Sequence, residues 1–206
     1  MRTSKKMLIL SCLLFSNALF AGEFGICNYG KVTLEALTCY GNASLNGTTI
    51  NGKVIVAGAL SAKNVSANGL TVSGPTQISD SHIVGSTQIN GPATINNSTL
   101  DNLQIQGNLS LTNSIIKQNI VSTGTVILQN TAVTGSLLEQ GSDINLINSK
   151  IYGSIVVTSK DVIPVVKLTN TQIEESIRFA GKMGNVNIDA NSKIAMPLQN
   201  GQLIQS

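Results

Sequence analysis

A six-residue unit, apolar-x-Asn/Asp-Ser/Thr-x-apolar, recurs along this chain at near-constant spacing. It reads ISDSHI, INNSTL, LTNSII, LQNTAV, LINSKI and LTNTQI, with its Asn or Asp at Asp80, Asn97, Asn113, Asn130, Asn148 and Asn170. The successive steps are 17, 16, 17, 18 and 22 residues. A column of glycines, Gly74, Gly91, Gly107, Gly124 and Gly141, keeps the same period. Self-similarity of this length marks a solenoid, in which each repeat buries its apolar face only against its neighbours.

The repeat is built for strands. Apolar residues recur every five or six positions at Ile78, Ile83, Ile89, Ile95, Leu100, Ile105, Leu111 and Ile116, with Thr, Ser, Gln and Asn between them. Short period-2 stretches such as Leu109-Ser110-Leu111 place apolar side chains on one face and small polar ones on the other. No i, i+3, i+4 stripe runs far enough to make a helix. Three strands of four or five residues per period form one triangular coil of a single-stranded parallel β-helix, and coils stack about 4.8 Å apart. The fold class is therefore all-β. Variable coil length and the right-handed crossover preference of parallel strands favour a right-handed solenoid over a left-handed hexapeptide one.

Each coil must turn sharply at its corners, where Gly, Asn and Asp tolerate positive φ best. The spacing predicts a corner at each motif Asn or Asp, with the flanking apolar pair pointing inward from either side. The Ser or Thr that follows can bond nearby backbone, and stacked Asn side chains can bond from coil to coil. A second corner column reads Gly85, Asn102, Gln118, Gly135 and Gly153.

Residues 1–21 have the form of a secretory signal peptide. Arg2, Lys5 and Lys6 precede an apolar run from Met7 to Phe20, with cleavage expected after Ala21 and, second, after Ala18. That segment holds three of the 13 basic residues and none of the ten acidic ones, leaving ten of each in the mature chain. The apparent basicity thus belongs to export, no basic run is left to grip nucleic acid, and no stretch is long and apolar enough for a transmembrane span. Cys27 and Cys39 form an even pair in an exported chain and are expected to be disulfide-bonded. The periplasm, the outer surface and the medium all fit.

The chain divides into a signal peptide (1–21), an N-terminal cap carrying the disulfide (22–40), the β-helix (41–194) and a C-terminal tail or cap (195–206). Coils lengthen after Asn148. Pro164, the pair Glu174-Glu175 and Pro197 read as devices against continued stacking, so the expected particle is capped, with small oligomers rather than long filaments.

Catalytic chemistry has little to stand on. His82 is the only histidine and occupies an outward position of its motif. Asp161, Glu174, Glu175, Arg178 and Asp189 form the one candidate cluster, and a solvated surface is the simpler reading. No cofactor and no metal set is indicated, and the chain is not expected to be an enzyme. Trp is absent, which weakens a carbohydrate-binding reading.

The coils of residues 41–157, with short period, inward Ile, Leu and Val, and Gly or Asn corners, resemble those of the bactofilins, bacterial polymer-forming β-helix proteins. The resemblance implies a β-helix that stacks with copies of itself. Bactofilins are typically intracellular, whereas this chain carries an export signal and a cysteine pair. Two functional classes follow: an exported structural or self-associating scaffold, or a secreted or surface-exposed adhesin presenting a polar wall. Its partner is then either itself or a component of the cell envelope or surface.

Overall fold

The computed structural model describes residues 20–205, and the greater part of the segment expected to be a signal peptide (1–21) lies outside them. The described residues contain no helix. They wind into a parallel β-solenoid of about 11 turns, spaced near 17 residues.

Each coil has three walls. The first is an eleven-stranded parallel sheet of three- to five-residue strands such as Thr76–Ser79, Ala93–Asn96, Leu109–Thr112 and Val126–Gln129. The second is made of two-residue strands, among them Ile115–Ile116 and Ala132–Val133. The third holds strands such as Ile120–Ser122, Leu137–Glu139 and Ile155–Ser159. Walls two and three belong to one seventeen-stranded sheet, because in three coils a single strand bends through both: Ser66–Val72, His82–Ile89 and Thr99–Ile105. In wall one the register is strict, with Ile78 on Ile95, Ile95 on Leu111 and Leu111 on Leu128, while the bent strand His82–Ile89 shifts register at its second corner.

Strict register turns the sequence pattern into columns. Every flanking apolar pair of the motif is buried, from Ile78 and Ile83 to Leu168 and Ile173. These columns form one continuous core along the solenoid axis. Burying each such side chain is worth about 1.5–3 kcal/mol before the entropy of ordering it is subtracted.

The glycine column has a different origin from the one expected. It runs along the corner between walls three and one, and at Gly91 φ is not positive. A Cβ at Gly91 would sit 2.8 Å from the carbonyl carbon of Gly74 in the coil below. Glycine is needed here because two backbones stack too closely for any side chain.

Three further features differ from the sequence reading. Residues 22–40 are not a separate cap: Cys27–Tyr29 pairs with Ala43–Asn46, and Thr33–Leu34 with Thr49–Ile50, so they form the first coil. The strand Phe20–Glu23 adds to it by pairing with Ala36–Cys39, and cleavage after Ala21 would leave half of that strand. At the other end, Gly201–Gln205 pairs with Gly184–Ile188 and continues wall one. Pro164 and Glu174-Glu175 do not guard an edge. Pro164 is buried, and strands on both sides of it continue the stack through residues 193–205.

Candidate functional site

The motif column lies on the corner between walls one and two. Asp80, Asn97, Asn113, Asn130, Asn148 and Asn170 all adopt left-handed backbone, with φ between 47° and 52°. Their side chains are exposed and stack into an amide ladder. Asn97 Nδ2 donates to Asp80 Oδ1 (3.3 Å), Asn113 to Asn97 (3.2 Å) and Asn130 to Asn113 (3.0 Å). Higher up, Asn170 donates to Asn148 at 2.9 Å. Asn64, with φ 53°, and Gly47, with φ 72°, share this left-handed conformation, although the sequence motif misses both. Asn64 is followed by Val65 instead of Ser or Thr, and Gly47 substitutes for Asn altogether.

The Ser or Thr after each motif Asn or Asp turns inward, and at Ser81, Ser98, Ser114, Ser149 and Thr171 the hydroxyl serves two coils. Ser98 Oγ donates to Asn96 O of its own coil (2.7 Å) and accepts the Ser81 N–H of the preceding coil (3.1 Å). Ser81 likewise accepts from Val65 N, Ser114 from Ser98 N, Ser149 from Thr131 N and Thr171 from Ser149 N. Backbone at a tight corner cannot reach a ladder partner, and a buried N–H left unpaired costs about 1–3 kcal/mol. The Ser/Thr half of the motif is therefore a structural necessity. Together the two ladders hold the corner in place.

One inward position breaks the apolar rule. Glu139 stands in the third-wall column between Ser122 and Val157 and is 1 % exposed. Neither carboxylate oxygen has a hydrogen-bond partner, and one lies where a Cβ on Gly141 would go. Burial pushes its pKa up to about 7, opposed only weakly by the adjacent Ser122 hydroxyl. The alternation Leu137-Leu138-Glu139 was the available signal, since it places residue 139 on the inner face.

The candidate carboxylate cluster is not brought together. Glu174 pairs with Lys150 across wall two at 2.6 Å, which holds Glu174 below and Lys150 above their ordinary ranges. Glu175 accepts from Ser154 Oγ at 2.6 Å on the second corner. Asp189 sits on the motif corner, bonded to Ser192 and to the Asn170 N–H, and both contacts lower its pKa. Asp161 lies on the third corner, where its carbonyl accepts from Lys182. Arg178 points outward from wall three. These groups occupy three different corners and two walls. His82 is exposed at the outward position of its strand. Among the described residues no three His, Cys, Asp or Glu side chains are grouped as a metal site requires.

Cys27 and Cys39 are both buried and bonded, with Cα atoms 6.1 Å apart. The bond crosses the inside of the first coil from wall one to wall three and closes that coil on itself. A bonded pair points to an oxidising compartment. No helix of the described residues is long and apolar enough to cross a membrane.

Shallow depressions mark the solenoid walls. One runs beside the amide ladder and is lined by Asn130, Asn148, Lys150, Asn170 and Gln172. No protein-family model, no curated protein and no solved structure matches this chain.

Proposed function

We propose that this protein is an exported, non-catalytic structural scaffold that associates with copies of itself through the C-terminal end of its solenoid. The observation that carries the reading is the strand Gly201–Gln205. It lies at the limit of the eleven-stranded sheet, paired on one side with Gly184–Ile188. Leu203 stacks on the buried Val186 in an inward column, yet it is 46 % exposed, with no further coil on it among the described residues. An open strand edge beside uncovered core is a template for a further strand. Export is supported by the Cys27–Cys39 bond together with the leader-like first 21 residues.

Light scattering after size exclusion, over a range of protein concentrations, tests the association. The expected result is concentration-dependent oligomers that Leu203→Asp abolishes. A monomer at every concentration sinks the proposal.

The second reading, a secreted or surface binding module, is favoured by the polar depression along the amide ladder. Pull-down on cell-envelope material, compared between the wild type and Asn148→Ala/Gln172→Ala, separates it from the first.

A further inference from the structure

The coil containing Ile155–Ser159 is longer than those beneath it, and its additional residues leave the stack at the third corner. Ser159 lies two residues past the Glu139–Val157 pair, where the coil below has Gly141. The chain then loops through residues 160–164 and re-enters wall one at Val165, opposite Asp143. Val162 and Ile163 stand out from this loop, 57 % and 56 % exposed. The next coil carries Met183 on the same corner, also 56 % exposed.

The protrusion is firmly held. Lys182 N donates to Ser159 O (3.0 Å), and Lys182 Nζ donates to Asp161 O (2.5 Å). Pro164 is buried, and its carbonyl accepts the Asn185 N–H at 2.9 Å. Two successive turns are thus joined into one apolar tip.

Cations surround that tip. Lys160 and Lys182 sit on the two turns, Lys167 faces outward from wall one, and Arg178 faces outward from wall three. Asp161 on the loop and Asp143 opposite Val165 are the carboxylates on this corner, leaving four cations to two carboxylates, while Glu174 and Glu175 of the neighbouring turn lie on the second corner. From residue 22 onward the chain has ten basic and ten acidic residues, so this basic rim is local.

We propose that this third-corner tip docks on an anionic lipid surface. Val162, Ile163 and Met183 enter the boundary between headgroups and acyl chains, and the four cations meet headgroup phosphates. A small apolar cluster ringed by Lys and Arg matches an interfacial anchor, in which burial and charge attraction add. Three side chains are too few for a stable protein interface, which needs about 800 Å² per partner, and the walls beside them are polar. The inference is independent of self-association at the other end of the stack.

Vesicle flotation with the purified protein tests it, using phosphatidylglycerol-containing vesicles against phosphatidylcholine alone. The expected result is binding to the anionic vesicles only, weakened by salt. Lys160→Glu/Lys167→Glu should lower partitioning roughly tenfold or more, and Ile163→Gln/Met183→Gln should abolish it. All four positions are exposed, so circular dichroism melts of the variants should match the wild type. Absence of binding to anionic vesicles overturns the proposal, as does equal binding to both vesicle types. Variants that float like the wild type overturn it too. An oligomer that the Ile163→Gln/Met183→Gln variant dissociates, without vesicle binding, would assign the tip to a second copy of the chain instead.

Discussion

Glu139 lies one coil beyond Ser122 in the same inward column, and the two side chains share the only polar step in the middle of that column. The other inward side chains of its coil, Val126, Leu128, Val133 and Leu137, are apolar, as are Ile144 and Leu146 of the next, and Thr131 is taken up by the hydroxyl ladder. No ionised group faces the carboxyl from the coils on either side, where Ile116, Ile120, Ile151 and Ile155 pack. A folded-state pKa raised from 4.5 to about 7 means that the native state holds a proton that the unfolded chain has lost. Stability from this group is therefore full below pH 4.5 and falls as pH rises towards 7, by up to about 3 kcal/mol. Thermal melts across that range should show the decline, and Glu139→Gln should flatten it. An unchanged slope in the variant would rule Glu139 out as the source.

At the motif corner, backbone conformation and side-chain bonding can be separated. Asn97 has φ 49°, so Asn97→Ala should cost about 1–2 kcal/mol from the left-handed backbone, with the lost amide bonds in addition. Asn97→Gly keeps the backbone relaxed and should cost less. If the two variants melted together, the amide ladder rather than φ would dominate the corner.

The hydroxyl beneath that corner should matter more than its size suggests. Ser98→Ala leaves the Ser81 N–H buried and unpaired, at about 1–3 kcal/mol. Exposed Ser61, in the outward column of wall one, should tolerate Ala within about 0.5 kcal/mol. Denaturant melts of the two variants compare them directly.

Gly91→Ala is expected to cost about 1–3 kcal/mol or more, because its Cβ would press on the backbone of Gly74, which has no side chain to move aside. Gly30→Ala has open space and should be near neutral. A shift in melting temperature for the first and none for the second would separate close stacking from corner flexibility.

Reduction, or Cys27→Ala/Cys39→Ala, should lower stability by about 3 kcal/mol, given the sequence separation of 12. Intact mass after alkylation without reductant checks the bond in the purified protein. Two added alkyl groups would show free thiols.

The coil period, the inward apolar pairs and the Asn corners were legible because each is a local requirement repeated many times. Asn64 and Gly47 escaped the pattern because positive φ accepts several residues, while the written motif demanded Ser or Thr next. The glycine column was visible, but its cause was not, since close approach between coils exists only once they are stacked. Glu139 broke the inward rule once, and a single exception in a repeat carries no periodic signal. Pro164 and Glu174-Glu175 read as edge devices because lengthened coils resemble an ending; the chain instead loops outward and rejoins the stack. The tip of Val162, Ile163 and Met183 joins residues about twenty positions apart, which only the register brings together.

The hydroxyl ladder has a consequence for how such a chain can change. Ser81, Ser98, Ser149 and Thr171 each offer an oxygen to the coil before and take support for their own N–H from the coil after. Most rungs have nearly the same chemistry, so no particular coil is irreplaceable within the regular stretch. Excising residues 97–112 would join Asn96 to Asn113, and Ser81 would find Ser114 where Ser98 had been. A genetic duplication or loss of one such turn would shift the rod's length by about 4.8 Å and leave every surviving contact with a partner of the same kind. Length here is a heritable variable that can drift by whole turns, while the lipid-facing tip and the disulfide-closed first coil stay as they are.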